Sequence, residues 1–116
     1  MDLYHVWCDL KPGVRDLDFG AAVKRCMERL KAEGLIAGWR LTRRKLGLGP
    51  PGLGEWHLML ELEGLAQLDA AFARFAARGE PEEGLHFEMN SLVSNATFGL
   101  ARDFPDSCRR HGEERF

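Results

Sequence analysis

The sequence predicts an α+β domain of the ferredoxin-like type, a βαββαβ sandwich whose four-stranded antiparallel sheet has the order 4-1-3-2. Two observations predict it. Apolar and polar residues alternate with a period of two in four stretches, and two stretches of helical periodicity separate the first strand from the second and the third from the fourth. Because this order is that of two interlocked strand-helix-strand units, we expect both long helices on one face of the sheet.

The first strand is predicted at residues 3–10, with Tyr4, Val6, Cys8 and Leu10 on its core face and His5, Trp7 and Asp9 on the other. A helix should follow, capped by Asp16 or Asp18 and ended by Gly34. Its apolar positions have the spacing of a core-facing helix and are Phe19, Ala22, Val23, Cys26, Met27 and Leu30. The second strand is predicted within residues 35–46, with Trp39 and Leu41 on the core face.

The Gly/Pro-rich residues 47–54 predict a hairpin loop between the second and third strands. The third strand is predicted at residues 55–63, where core-facing side chains alternate with more polar ones. The core-facing side chains are Trp56, Leu58, Leu60 and Leu62. A second helix over residues 64–78 carries Leu65, Leu68, Phe72 and Phe75 toward the core, and Gly79 should end it. A short helix over residues 82–93 and a fourth strand over residues 94–102 complete the domain.

The length of 116 residues predicts one domain, which we place at residues 1–104 and follow with a charged C-terminal tail at residues 105–116. The net charge of −2 argues against nucleic acid as a partner. No stretch approaches the ~18 apolar residues that span a membrane, and the N-terminus lacks a signal peptide, so we expect a cytoplasmic protein. Three cysteines without a CxxC pair predict reduced thiols, with Cys8 and Cys26 in the core.

The sheet face opposite the helices, hereafter the open face, has a mixed composition that predicts a partner. Trp7 and Met59 lie there on the two central strands, accompanied by His5, His57 and Arg40. This face is too polar for a core and too aromatic for plain solvent surface. A twofold homodimer that places two such faces together would cover it.

Three stretches of the chain resemble an uncharacterised bacterial family of the dimeric α+β barrel group. They are residues 3–10 (LYHVWCDL), 38–47 (GWRLTRRKLG) and 90–95 (NSLVSN). The resemblance extends over nearly the whole chain. It implies a homodimeric barrel, and its wider group includes cofactor-independent monooxygenases, isomerases and small stress-responsive proteins, so the fold by itself assigns no reaction.

His5 and His57 are the candidate catalytic residues, because both fall on the open face of adjacent central strands and histidine transfers protons near neutral pH. Trp7 is a candidate ligand-binding neighbour, and Asp9 could orient an imidazole. The alternative is a pair of interface histidines bonded to each other. A metal site requires three or four ligands, and this pattern supplies too few, so we expect neither a metal nor another cofactor.

Four further residues are candidates for ligand binding. Arg40 and Arg44 point to the open face, where they could bind the carboxylate of a small acidic ligand, although positive charge on an edge strand also prevents unwanted strand pairing. His86 and Asn90 share one face of the short helix, which could close one end of the open-face cavity. The alternative for these two is a solvated helix face.

Two hypotheses of function therefore stand beside each other. In the first, the protein binds a small acidic or aromatic molecule on the open face, as a binding protein or as a cofactor-independent monooxygenase- or isomerase-like enzyme. In the second, it is a structural or stress-related homodimer whose open face is entirely interface. A void beside His5 and His57 would favour the first hypothesis, and a filled interface would favour the second.

Overall fold

Seven regular elements follow one another in the computed structural model, which describes residues 1–113. They are β1 (Asp2–Leu10), α1 (Asp16–Ala32), β2 (Gly38–Arg43), β3 (Trp56–Leu62), α2 (Leu65–Ala76), α3 (Glu82–Asn90) and β4 (Val93–Arg102). The predicted tail extends beyond the last of these, and its residues 114–116 lie outside the described part of the chain. The division at residue 104 stays a prediction.

The four strands form one antiparallel sheet in the order β2-β3-β1-β4, which is the predicted order read from the opposite edge. β1 and β3 are therefore the central strands. Their register places Trp7 opposite His57 and His5 opposite Met59. The ferredoxin-like fold class predicted from the alternation is confirmed.

The core lies between the sheet and the helices. Every second residue of β3 is buried, from Trp56 to Leu62, and the even-numbered residues of β1 face the same side. Helix α1 contributes the six buried side chains that its periodicity predicted. Because Cys8 and Cys26 are buried there, desolvation raises the pKa of each thiol to about 11, so both stay protonated near neutral pH.

The start of α1 differs from the prediction, while its end agrees with it. Asp16 and Asp18 lie in the first helical turn and are not the cap, which is Arg15 and makes no side-chain cap hydrogen bond. Acidic side chains there are favoured by the helix dipole without capping it. At the other end, Gly34 has a φ of 73° and Leu35 donates its N–H to the Leu30 carbonyl, 2.9 Å away, which closes a Schellman motif.

The end of α2 also corrects the sequence prediction. The left-handed position after this helix is held by Arg78, with a φ of 52°, and not by Gly79. The N–H of Arg78 donates to the Phe75 carbonyl at 3.1 Å, so the helix already closes one residue earlier. Arg78 thus adopts a backbone conformation that is uncommon for a non-glycine residue.

Helix α3 lies on the helix side of the sheet, packed against α1 and α2. The prediction that it closes one end of an open-face cavity is therefore wrong. Its Glu82 side chain is only 4% exposed and makes ion pairs with Arg74, 3.1 Å away, and Arg29, 3.6 Å away. A further ion pair joins Glu88 to Arg25 of α1. These charges attach α3 to the other two helices.

The helices leave part of the sheet's inner face uncovered near β4. Phe98 of β4 is 61% exposed, and Phe72 of α2, which the periodicity placed in the core, is 49% exposed. Both rings contact Tyr4, with centroid distances of 6.1 Å to Phe98 and 5.5 Å to Phe72. The core is thus closed under β3 and open at its β4 side.

Candidate functional site

Three aromatic rings meet at the centre of the open face. The Trp7 and His57 rings lie nearly parallel, with centroids 4.8 Å apart and an angle of 9°, and the His5 ring lies 5.3 Å from Trp7. Nδ1 of His5 and Nε2 of His57 are 2.8 Å apart, which is a hydrogen bond between the two imidazoles. One ring must donate and the other accept, so the bond requires at least one neutral imidazole.

Two features of this ring cluster follow from its surroundings. Burial, and then the neighbouring His5, lower the pKa of His57 below the ordinary histidine value. On the β4 side, a Cβ added to Gly99 would lie only 3.2 Å from Cζ3 of Trp7. Because Gly99 has no side chain, the indole can lie flat across the neighbouring strand.

Asp9 does not orient either histidine, contrary to the sequence-based suggestion. Its Oδ1 accepts the N–H of Glu55 at 2.9 Å, and its Oδ2 accepts the side-chain amide of Asn95 at 3.0 Å. These two hydrogen bonds lower the pKa of Asp9, in that order of size. The carboxylate fastens the start of β3 to β1 and β4.

The two candidate arginines have different environments. Arg40 is exposed opposite Met59, and its guanidinium has no hydrogen bond or ion pair within residues 1–113. Arg44 is half-buried, and its Nη2 donates to the Leu53 carbonyl at 2.8 Å. It lines a pocket of about 160 Å³ at the end of the open face, together with Trp7 and His57. Only Arg44 is thus brought together with the ring cluster.

A larger cavity, of about 400 Å³, lies on the other side of the sheet, between the sheet and the three helices. Its walls are mostly apolar side chains of the core, such as Leu58, Leu60, Met27 and Leu68. His86 and Asn90 of α3 line it, so they are separated by the sheet from the other candidate residues. Their assignment as ligand-binding residues stays a prediction, now for this interior cavity.

Aromatic side chains surround the interior cavity, and sequence reasoning did not single them out as site residues. Tyr4, Phe72, Phe75 and Phe98 all line it. The ring of His86 packs against Phe75 with a centroid distance of 4.8 Å, which holds the imidazole at the wall. Burial raises the pKa of Tyr4, so its phenol is neutral near pH 7. The only signal in the sequence was that these rings occupy core-facing positions.

Within residues 1–113, no three acidic, histidine or cysteine side chains are arranged to hold a metal ion. None of the helices described is both long and apolar enough to cross a membrane.

Solved structures of other proteins share this architecture. The chain is similar to a protein of Arabidopsis thaliana, with a TM-score of 0.70 and 9% identity over 92% of this chain and 99% of that one. A dimeric ferredoxin-like protein of unknown function from Jannaschia sp. CCS1 has a TM-score of 0.65 and 13% identity, over 89% and 100%. A protein described as an antibiotic biosynthesis monooxygenase has a TM-score of 0.62 and 19% identity, over 90% and 100%. At such identities the likeness shows the fold alone.

Sequence comparison identifies the family. No curated protein matches the chain. The model of the family described as "Family of unknown function (DUF6614)" matches residues 1–116. Because this match extends over the whole sequence, the chain belongs to the DUF6614 family of unknown function.

Proposed function

We propose that the protein binds a small, largely apolar aromatic molecule in the interior cavity between its sheet and its helices. The observation that carries this proposal is the cavity itself, whose volume of about 400 Å³ is within the range of small-molecule sites, roughly 300 to 1,000 Å³. Its walls are mostly apolar, so a charged ligand would lose its hydration there without compensation.

The shape and chemistry of the walls favour a flat ligand with one or two polar atoms. Tyr4, Phe72 and Phe98 form an aromatic cluster at the exposed side of the cavity, where a ligand can enter and stack on them. His86 and Asn90 offer hydrogen-bonding groups from α3. A phenol or a similar hydroxylated ring satisfies both requirements.

The same residues suit cofactor-independent chemistry of the isomerase or monooxygenase type. His86 is the candidate base, because histidine accepts a proton near neutral pH and this imidazole lines the cavity beside Phe75. Asn90 could hold the oxygen on which negative charge develops. One structural neighbour is described as a monooxygenase, which agrees with this class of reaction without assigning it.

Binding can be tested by thermal unfolding with 2-naphthol as the probe. At about 100 times its Kd, a ligand stabilises the folded protein by about 2.7 kcal/mol, so the midpoint should rise with naphthol concentration. Ala71→Leu adds three carbon atoms at a buried wall position of α2 and should weaken the affinity about tenfold.

Met59→Leu is the control, since it introduces the same side chain on the open face with almost no change of volume and should leave naphthol binding unchanged. A loss of binding in Met59→Leu or Trp7→Ala, with none in Ala71→Leu, would move the ligand to the open face and contradict the proposal. Absence of any naphthol-dependent shift in the parent protein would contradict it as well.

The second part of the proposal is a homodimer formed through the open face. Met59, Trp7, His5 and His57 are only partly buried there, and no helix of residues 1–113 packs over them. The hydrogen bond between His5 and His57 satisfies one nitrogen of each ring, which suits a group that is to be covered. Similar proteins described as dimeric support this assembly.

Sedimentation equilibrium at micromolar concentration should give twice the chain mass of 13.1 kDa. Met59→Glu buries a carboxylate in the proposed interface and should yield the monomer. The control is Phe87→Glu, which changes an exposed ring of α3 on the opposite side of the sheet and should leave the dimer intact. If Phe87→Glu alone gives the monomer, the subunits meet through the helices.

A further inference from the structure

A second pocket lies at the end of the open face, where the loop between β2 and β3 folds back over the sheet. Its volume is about 160 Å³. Trp7, Thr42 and His57 form its inner wall, while Gly49 and Leu53 of the loop form the outer wall, and Arg44 lines it as well. All of the residues that line it belong to one chain, and none of them lines the interior cavity.

We propose that this loop pocket binds a small carboxylate with a flat apolar body. The carboxylate pairs with Arg44 and Thr42, and the body lies against the nearly parallel rings of Trp7 and His57. Neither ring needs to move, since both already line the pocket.

The carboxylates near the pocket are directed at partners other than Arg44. Arg43 is paired with Asp16 at 3.1 Å and with Glu55 at 3.3 Å, so both of these carboxylates are directed at Arg43 and not at Arg44. The Asp9 oxygens accept hydrogen bonds from Glu55 and Asn95. Arg44 lies near enough to lower the pKa of Asp9, but its own hydrogen bonds go to neutral carbonyls. Its guanidinium therefore has no direct carboxylate partner within the described residues.

Hydrogen-bond donors remain available at the same place. Arg44 uses only Nη2, for the carbonyls of Leu53 and Gly54, so Nη1 keeps both of its hydrogens. Neither the Thr42 hydroxyl nor the Trp7 indole N–H has a hydrogen-bond partner in the part of the chain that the structure describes. A carboxylate accepts from a guanidinium and a hydroxyl together, which strengthens both bonds.

The loop holds Arg44 in position before any ligand arrives. A Cβ added to Gly49 would lie 2.8 Å from Cζ of Arg44, so the loop backbone packs directly on the guanidinium. An arginine fixed between this backbone and two carbonyls loses little side-chain freedom on binding. A volume of about 160 Å³ can hold the flat body of a ligand such as benzoate.

The test is a titration of the parent protein with sodium benzoate at constant ionic strength, followed by the indole N–H resonances. The chain has three tryptophans, so Trp39 and Trp56 are internal references. The Trp7 resonance should shift and saturate while the other two stay in place. Benzamide, which has the same shape without the charge, should bind at least about tenfold more weakly, and inorganic phosphate, which has no flat body, should also bind more weakly.

Arg44→Gln should weaken the binding of benzoate at least about tenfold, and Arg40→Gln is its matched control. The Arg40→Gln substitution removes the same charge from the same face four positions earlier, and Arg40 lies outside the pocket. Thr42 is exposed, and Thr42→Val should weaken benzoate binding severalfold. If Arg44→Gln displaces the loop, this second variant tests the proposal instead. Equal affinity for benzoate and benzamide, equal losses in Arg44→Gln and Arg40→Gln, or a stationary Trp7 resonance would each overturn the proposal.

Discussion

Replacing Trp56 with alanine should lower the free energy of unfolding by about 3–5 kcal/mol, as large-to-small changes at buried aromatic sites do. Trp56 is 7% exposed at the start of β3. Its ring packs edge to face against Phe19 of α1, with the centroids 5.2 Å apart. The guanidinium of Arg43, on β2, lies 4.9 Å from the centroid of the Trp56 ring. The change therefore opens a cavity at a point where two strands and a helix meet.

Urea denaturation, at a protein concentration high enough to saturate dimer formation, measures this loss. Two further variants serve for comparison. Phe72→Ala should cost only about 1 kcal/mol, because half of that ring is already exposed and full burial of a phenylalanine contributes roughly 1.5–3 kcal/mol. Trp7→Ala should likewise keep a clearly higher free energy of unfolding than Trp56→Ala, since Trp7 lies on the open face. A ranking with Trp7→Ala least stable would show that the open face supports the fold more than the helix-side core does.

The strand faces could be predicted because alternation is a strong signal wherever one side of a sheet is buried. In β3, burial alternates without exception from Trp56 to Leu62, and the pairing of β1 with β3 brings His5, Trp7 and His57 together as their positions indicated. The sheet order followed from element order alone. This part of the site needed only knowledge of which residues share a face.

The interior cavity could not be predicted, because periodicity tells which side chains face the core and not whether they fill it. Phe72 has a core-facing position in α2, yet no element of residues 1–113 covers it at the β4 side. The location of α3 could not be predicted from the sequence either. Its His86 and Asn90 follow a helical spacing that fits either side of the sheet, and the ion pairs of Glu82 that attach α3 to the other helices are contacts between distant segments.

The loop pocket was hidden for a different reason. Arg44 was recognisable as an open-face residue, but its contact with the backbone of Gly49 depends on how the loop between β2 and β3 folds back. Glycine and proline mark such a loop without specifying its path. The role of Gly99 in making room for Trp7 is likewise a cross-strand effect, which appears only once the register of β1 and β4 is known.

Gly54→Ala should be the most disruptive change in that loop, lowering the free energy of unfolding by about 3 kcal/mol, the upper end of typical overpacking costs. An added Cβ would lie 2.7 Å from the backbone nitrogen of Cys8 and closer still to its carbonyl carbon and oxygen. These atoms belong to central strand β1 and cannot rotate away as a side chain would. The loop must therefore lift from the sheet, which strains the hydrogen bond from the Glu55 N–H to Asp9.

Gly20→Ala is the control for this change, because no atom of residues 1–113 outside its own stretch of α1 lies within 4 Å of the position that its Cβ would take. There, alanine should stabilise the protein by about 0.5–1 kcal/mol, since glycine is unfavourable inside a helix. The two variants add the same methyl group, so opposite signs in urea denaturation would trace the cost of Gly54→Ala to the contact with Cys8. Amide exchange should accelerate at Glu55 in Gly54→Ala and not in Gly20→Ala. If Gly54→Ala instead matches the parent in both measurements, the loop does not press on β1, and the preformed wall of the loop pocket would be lost as an argument for carboxylate binding.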